Sequence, residues 1–334
     1  MDTTKKSEVD LLYDKAYQAG KSKNYEEAVK YFSRVIELSP GHIDAYKYRG
    51  YSYIELENCE EGIKDYTKVI EANQACELVY HNRGYAYYRL GCFNEALPDY
   101  SKSIELKQDF AKAYLHRGML YYDLERYDKA LADYNKAIEL KPDNVENYYE
   151  RGNVFYKLED YIKAIKDYDK ALELEPEYFY THNNRGLAYY KLNYFDEALA
   201  DFNKALELDP YDIKAYNNRG DVYYILNNYK EAIDDYSKAI EIKPDEGNYY
   251  VNRGIVYKTL GLYNSAIEDF TKGIEYNIND ERAYYFRGMV YYEISKFDKV
   301  ISDCEKVIEL RPYLESELRP YIDEAKEKSG MIHL

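Results

Sequence analysis

The chain has 334 residues, a net charge of −16 at neutral pH, and 46 tyrosines without a tryptophan. This acidic balance argues against a nucleic-acid partner, because phosphate binding depends on clustered lysine and arginine. A protein or peptide partner, neutral or basic, is easier to accommodate. No apolar run is long enough to span a membrane and the N-terminus has no apolar signal core, so we expect no membrane partner and a cytoplasmic location.

Residues 1–8 form a short polar lead-in, after which one pattern recurs every 34 residues without an insertion. Each unit contains two amphipathic helical patterns, and a glycine marks the same place in the first of them. These glycines are Gly50, Gly84, Gly118, Gly152, Gly186, Gly220, Gly254 and Gly288, with Ala16 one period earlier. A fixed period with two helices per unit predicts a stacked helical solenoid.

The period defines nine predicted units over residues 9–312. Their bounds are 9–42, 43–76, 77–110, 111–144, 145–178, 179–212, 213–246, 247–280 and 281–312. Residues 313–334 leave the period but keep an apolar helical stripe among many charges, formed by Leu318, Tyr321, Ile322 and Ala325. This segment is predicted to be a helix that caps the last unit, with Gly330 as its stop.

The unit 213–246 carries Tyr216, Gly220, Tyr223, Ala232, Tyr236, Ala239 and Pro244 at positions 4, 8, 11, 20, 24, 27 and 32. This pattern resembles the tetratricopeptide repeat, and the resemblance extends over most of the chain. It implies an all-α fold, an α-solenoid in the form of a right-handed superhelix of antiparallel helix pairs with a C-terminal capping helix. It also implies that the first helix of each pair lines a continuous concave groove.

Positions that face each other across an antiparallel helix pair add up to a constant number. We therefore expect Gly220 opposite Ala232, Tyr216 opposite Tyr236, and Tyr223 opposite Tyr229. The same rule brings an arginine at position 7 opposite an aspartate at position 23 in every unit except the first. These pairs are predicted to be structural ion pairs rather than a row of ligand-binding arginines.

Position 6 of the first helix is a candidate for the groove surface. It reads Asn82, His116, Glu150, Asn184, Asn218 and Asn252 from the third unit to the eighth. An amide offers a donor and an acceptor, which suits the backbone of an extended peptide. The alternative is that these asparagines are simply solvated helix residues.

Position 12 adds a row of tyrosines that includes Tyr122, Tyr156, Tyr190 and Tyr224. Each follows the core aromatic at position 11, and two neighbours on a helix cannot face the same way. A tyrosine presents an apolar face and a polar tip, which is common on binding surfaces. These rings are predicted either to supply contact area in the groove or to pack between successive units.

A second binding mode is a clamp for the terminal carboxylate of a partner, as in some co-chaperones with this repeat. Two windows of the sequence supply three of its five positions each: Lys47, Asn82 and Lys112 in one, Asn153, Asn184 and Lys214 in the other. The other places hold Tyr51 and His116, or Tyr149 and Asn218. The missing charges weaken a carboxylate site.

Catalytic signals are weak. The five histidines and the cysteines Cys59, Cys76, Cys92 and Cys304 have no metal-ligand or disulfide spacing, although His81 and His116 could approach one another. No phosphate loop or nucleophile motif occurs. We therefore expect no enzymatic activity, no cofactor and no metal. The predicted function is a scaffold or adaptor that binds a peptide or protein segment in the groove, with self-association through the array ends as a further possibility.

Overall fold

The computed structural model describes residues 7–330, and these residues contain helices and no strand. They fall into two compact units, an N-terminal unit up to Leu174 and a C-terminal unit from Glu175 onward. Within each unit, consecutive helices pack as antiparallel pairs and each pair packs on the next. The predicted all-α solenoid of helix pairs is therefore confirmed.

Ten helices form the N-terminal unit in the described part of the chain. They are α1 Glu8–Lys21, α2 Tyr25–Leu38, α3 Ile43–Glu55, α4 Cys59–Glu71, α5 Glu77–Arg89, α6 Phe93–Leu106, α7 Ala111–Asp123, α8 Tyr127–Leu140, α9 Val145–Lys157 and α10 Tyr161–Leu174. The C-terminal unit contains α11 Phe179–Lys191, α12 Phe195–Leu208, α13 Ile213–Ile225, α14 Tyr229–Ile242, α15 Gly247–Thr259, α16 Tyr263–Tyr276, α17 Glu281–Glu293, α18 Phe297–Leu310 and α19 Glu315–Lys328. A 3₁₀ turn, Pro312–Leu314, precedes α19.

The turn inside each pair reverses the chain with one residue in the left-handed region. Glycine occupies this place only at Gly91 and Gly261, with φ of 72° and 71°. The other pairs use residues with a side chain, for which this conformation is unfavourable: Lys23, Glu57, Glu125, Glu159, Asn193, Asn227 and Ser295. The geometry of the turn is thus imposed by the packing of the two helices.

The repeating glycine at position 8 makes room for an aromatic ring. A β-carbon added at Gly118 would lie 2.7 Å from Cε1 of Tyr134, which is fully buried at position 24 of the same pair. The expected approach to the small residue at position 20 is also present, since the same atom at Gly84 would lie 3.3 Å from the carbonyl oxygen of Ala96. Tyr223 and Tyr229 pack on the same buried cluster, and the ring of Tyr229 also contacts Tyr224, at 5.9 Å between centroids.

The eight predicted ion pairs between positions 7 and 23 are confirmed. Each is bidentate, as in Arg117, whose Nε and Nη2 donate to the two carboxylate oxygens of Asp133 at 2.7 and 2.8 Å. The remaining nitrogen, Nη1, reaches the preceding pair and donates to Ser101. Rings at positions 4 and 11, here Tyr114 and Tyr121, flank the guanidinium. One arginine therefore holds a helix pair together and ties it to its predecessor.

The two ends of the array differ from this scheme. At position 7 the first pair has Lys15, whose ammonium lies 5.9 Å from the ring centre of Tyr31 instead of pairing with a carboxylate. At the other end, α19 buries Leu318, Ile322 and Ala325 against α18, which confirms the predicted capping helix. The chain then turns at Gly330, with φ of 78°. None of the helices between residues 7 and 330 has the length and hydropathy to cross a membrane.

Candidate functional site

The first helices of successive pairs contact each other in both units and form a surface that we call the first-helix face. It carries positions 2, 5, 6, 9, 12 and 13 of each repeat. In the N-terminal unit this face contains a cavity of about 650 Å³ between α1, α3, α5 and α7. Its walls include the rings of Tyr17, Tyr48, Tyr51 and Phe110 and the side chain of Leu78. We call this cavity the lysine pocket, because four lysines line it.

Four lysines line this pocket in a chain that is strongly acidic: Lys21, Lys23, Lys47 and Lys112. The ammonium of Lys47 lies 2.5 Å from a carboxylate oxygen of Asp44 and 4.7 Å from the ring centre of Tyr48. Lys112 is exposed and forms no ion pair with any residue that the structure describes. The pocket therefore offers positive charge beside aromatic surface.

A chain of hydrogen bonds fixes the amide at the floor of the pocket. Asn82 donates from Nδ2 to the Tyr66 hydroxyl at 3.0 Å, so its Oδ1 accepts from Nδ1 of His81 at 2.9 Å. Nε2 of His81 then accepts from Nδ1 of His116, 3.1 Å away. The expected approach of the two histidines is confirmed, and burial lowers the pKa of His81 to about 4.

His116 is the one predicted groove residue that the burial argues against. Its side chain is only 8% exposed and stacks between His81 and Tyr85. Burial and the neighbouring His81 place the pKa of His116 well below its ordinary value. A peptide could not contact this ring without displacing its neighbours, so His116 supports Asn82 from below instead.

In the C-terminal unit the position-6 asparagines pair with amides at position 5 of the preceding repeat. Asn218 donates to Asn183 at 3.0 Å, and Asn252 donates to Asn217 at 2.9 Å. Asn184 accepts a longer bond of 3.4 Å from the adjacent Asn183. Asn184, Asn218 and Asn252 are half-buried and lie on the first-helix face. Part of their hydrogen-bonding capacity is already used inside the protein.

The position-12 tyrosines are half-buried and pack both within their own helix pair and against the following repeat, as Tyr122 does in a cluster with Val154 and Tyr190 in a cluster with Val222. Each ring contacts the aromatic at position 17, with centroid distances of 5.8 Å for Tyr122 and Tyr127, 5.4 Å for Tyr156 and Tyr161, 6.2 Å for Tyr190 and Phe195, and 5.9 Å for Tyr224 and Tyr229. Their second contact is polar: the hydroxyl of Tyr88, in the same row, donates to Asp123 of the next repeat at 2.6 Å.

The residues of the two predicted clamp windows lie in different kinds of surroundings. Lys47, Asn82 and Lys112 line one pocket, together with Tyr51. In the other window, Asn153 belongs to the N-terminal unit, where its Oδ1 accepts from Tyr168 at 2.9 Å, while Asn184 and the exposed Lys214 belong to the C-terminal unit. No group of three His, Cys, Asp or Glu side chains suited to a metal ion occurs among residues 7–330.

Sequence reasoning missed two parts of this surface. Tyr17, Lys21 and Lys23 complete the pocket from the first repeat, at positions 9, 13 and 15, where the repeat pattern prescribes no residue type. It also missed the partners of the asparagines at position 6. The adjacent pairs Asn183-Asn184 and Asn217-Asn218 were the available signal, because positions 5 and 6 of successive first helices meet.

Family models match the sequence along most of its length. The model described as Tetratricopeptide repeat matches residues 78–110, 179–212 and 213–246 in one version and 9–42, 247–279 and 281–313 in another, and a model described as TPR repeat matches 118–159 and 152–193. The chain belongs to the tetratricopeptide repeat family. Membership supports a role as a protein-interaction scaffold.

Solved tetratricopeptide structures show the same fold. The crystal structure of the APC/C hetero-tetramer Cut9–Hcn1 aligns with a TM-score of 0.59 at 15% identity, over 97% of this chain and 77% of that one. The C-terminal part of a TPR repeat-containing protein from Cytophaga hutchinsonii aligns at 0.56 and 20% identity, over 72% and 98%. A tetratricopeptide repeat protein from Parabacteroides merdae aligns at 0.50 and 22% identity, over 84% and 98%. A comparison with curated proteins finds no match.

Proposed function

We propose that this tetratricopeptide protein is a scaffold whose lysine pocket binds an extended segment of a partner protein. The observation that carries the proposal is the convergence of four lysines, one fixed amide and several aromatic rings on a single cavity. The segment would present carboxylates to Lys21, Lys47 and Lys112 and an apolar side chain to Tyr48 and Leu78. Asn82 would orient the peptide backbone, because its bonds to Tyr66 and His81 leave it little freedom to rotate.

The proposed partner is acidic although the chain is acidic as well. Charges separated by more than about 10 Å are screened at moderate salt, so the nearby lysines dominate at the pocket. Binding should consequently weaken as salt concentration rises, since the attraction is electrostatic. The rings and Leu78 supply apolar area that does not depend on salt.

The test is a calorimetric titration with the peptide Ac-GDLFDG-amide. Lys112→Ala should weaken binding about tenfold, since a charge-assisted contact contributes about 1.5 kcal/mol. The control is Lys230→Ala, which removes an exposed lysine on α14, a second helix of the C-terminal unit. Equal effects of the two variants, or none, would remove the pocket from consideration.

A clamp for a terminal carboxylate is the second candidate, because Lys47, Asn82 and Lys112 share the pocket. It predicts that Ac-GDLFD with a free terminus binds at least tenfold more tightly than the amidated form. Similar affinities for the two forms would favour recognition of an internal segment.

In the C-terminal unit we propose that Asn184, Asn218 and Asn252 hold peptide backbone, with Tyr190 and Tyr224 adding contact area. Asn153, Tyr122 and Tyr156 would play the same part in the N-terminal unit. A pull-down that compares the wild type with a triple variant, Asn184→Ala, Asn218→Ala and Asn252→Ala, tests this. The control replaces by alanine the exposed Asn264, on the second helix α16, and the exposed Asn279, in the loop that follows it. Recovery of the same partners by both variants would exclude the asparagines as ligands.

A further inference from the structure

The lining of the lysine pocket contains no acidic side chain, although the chain as a whole is acidic. The sequence has 62 aspartates and glutamates against 46 lysines and arginines. Four lysines line the pocket, and no aspartate or glutamate among residues 7–330 does. Within the described chain only Asp44 forms an ion pair with one of these lysines, and Asp44 is exposed outside the lining. The pocket therefore presents several positive charges to a ligand and no negative one.

Two of the lysines flank a pair of adjoining rings. The ammonium of Lys21 lies 5.7 Å from the ring centre of Tyr17, and the ammonium of Lys47 lies 4.7 Å from the ring centre of Tyr48. The two rings meet edge to face, with 5.3 Å between their centroids and 81° between their planes. Lys21 has no carboxylate partner among the described residues, and Lys47 uses one of its three N–H donors on Asp44. Both lysines thus have donors to spare beside the same aromatic wall.

This wall lies away from the amide that would hold the peptide backbone. Asn82 is on α5, Lys47 is on α3 and Lys21 is the last residue of α1. The helices α1, α3 and α5 contact one another in this order, and packed helices are about 8–10 Å apart. A backbone held at Asn82 is therefore one helix spacing from Lys47 and two from Lys21. A negative charge that meets both ammonium groups must be carried on a side chain longer than that of aspartate.

We propose that the lysine pocket recognises a phosphotyrosine in the partner segment, with the phosphoryl group between Lys21 and Lys47 and the ring against Tyr17 and Tyr48. This inference rests on the proposed function, because it names the side chain that the bound segment carries. A phosphoryl group has a charge of about −1.5 to −2 at pH 7, so it matches two ammonium groups, whereas one carboxylate matches one. Its oxygens accept charge-assisted hydrogen bonds from both lysines.

The rings of the pocket distinguish phosphotyrosine from phosphoserine. Tyr51, which is 42% exposed, and Tyr25 also line the pocket, with 6.1 Å between their ring centroids. A phosphoserine would keep its phosphoryl group close to the peptide backbone and leave these rings in water. A tyrosine ring would cover them, and aromatic pairs contribute beyond the area that they bury. The pocket therefore favours a phosphoryl group on an aromatic side chain.

The experiment is a pair of calorimetric titrations of the full chain, one with Ac-GDLYDG-amide and one with the same peptide phosphorylated on its tyrosine. Phosphorylation should tighten binding about a hundredfold, which is about tenfold for each ammonium group that the phosphoryl group meets. Lys21→Ala should reduce this ratio of affinities to about tenfold. Lys112→Ala should weaken binding of both peptides alike and leave the ratio unchanged, and the control Lys230→Ala should change neither affinity. Lys21 and Lys230 are both exposed, so neither substitution removes a core residue.

Equal affinities for the two peptides would overturn the proposal, as would a ratio that Lys21→Ala leaves unchanged. Binding of a phosphoserine peptide as tight as that of the phosphotyrosine peptide would exclude the role of the rings. Phenyl phosphate that binds as tightly as the phosphopeptide would show that the ligand is a small aryl phosphate and not a segment. Failure of the proposed function looks different. If both peptides bind equally and Lys112→Ala weakens them, the pocket binds an acidic segment without reading phosphate, whereas if neither peptide binds, both proposals fail.

Discussion

The first-helix faces of the two units have the same geometry but different chemistry. In the C-terminal unit, positions 5 and 6 of successive repeats are joined by amides, Asn183 with Asn218 and Asn217 with Asn252. In the N-terminal unit the equivalent contact is His81 with His116, and the next position 6 is Glu150. Amides satisfy one another at any pH, whereas histidines and a buried carboxylate respond to protons. The repeat thus fixes where side chains meet and leaves open what they do.

The largest effect should come from the part that the two units share. Asp133→Ala in the N-terminal unit and Asp235→Ala in the C-terminal unit each leave a guanidinium without its bidentate partner inside the protein. Loss of one member of a buried pair costs about 3 kcal/mol in the free energy of unfolding. Denaturant unfolding followed by hydrogen exchange should show similar losses in each variant's own unit. If only one of the two variants lost stability, the ion pair would not contribute equally inside the two units.

The next effect is confined to the N-terminal unit. Because burial raises the pKa of Glu150 in the folded state, the protein loses stability as the pH rises from the pKa of this carboxyl in the unfolded chain to about 7, where the loss is nearly complete. Glu150→Gln should therefore raise the free energy of unfolding by roughly 2 kcal/mol at pH 8 and by little at pH 4. Thermal unfolding at the two pH values measures the difference. No gain at pH 8 would show that Glu150 is not held in an unfavourable charged state.

The histidine pair should act in the opposite direction. Its pKa values are lowered in the folded state, so its stabilising contribution is complete above pH 6.5 and is lost as pH falls toward about 4. For His81 alone the loss between pH 7 and pH 5 is about 2 kcal/mol, which the protonation of Glu150 masks in the wild type.

The decisive comparison for the histidines is therefore made in the Glu150→Gln background. Hydrogen exchange there should show that α5 and α7 lose protection at pH 5 while α13 and α15 do not. Replacement of both histidines by asparagine, the residue type used in the C-terminal unit, should remove that loss. Acid sensitivity that persists in the double asparagine variant would point to other groups.

The smallest effect concerns the turns. Glu125 and Asn227 occupy the same left-handed position, with φ of 56° and 59°. Asparagine tolerates this conformation better than glutamate, and the side chain of Asn227 also accepts a bond from Tyr229. Glu125→Gly should stabilise by about 0.5–1 kcal/mol, and Asn227→Gly by less or not at all. Midpoints of thermal unfolding are sensitive enough to compare them.

The repeat made most of the fold predictable and little of the chemistry. The pairing of Arg117 with Asp133 and the cap formed by Leu318 and Ile322 follow from spacing alone. Spacing alone could not predict which of the rings at positions 11 and 12 contacts the ring at position 17, because neighbouring residues on a helix differ in direction by only a fraction of a turn. The roles of His116 and Glu150 were out of reach, since the degree of burial of a first-helix residue depends on what the adjacent repeats carry.

The reach of the arginines into the preceding repeat within each unit has an evolutionary consequence. Their Nη1 atoms donate to a serine, threonine or asparagine oxygen at one fixed spacing, so excision or duplication of a 34-residue block within a unit should rejoin equivalent partners at the new junction. An array of this kind can change its length by recombination while each new junction keeps the same type of contact. Only the first block, with Lys15 and Tyr31, and the last, with its added helix, are specialised as termini.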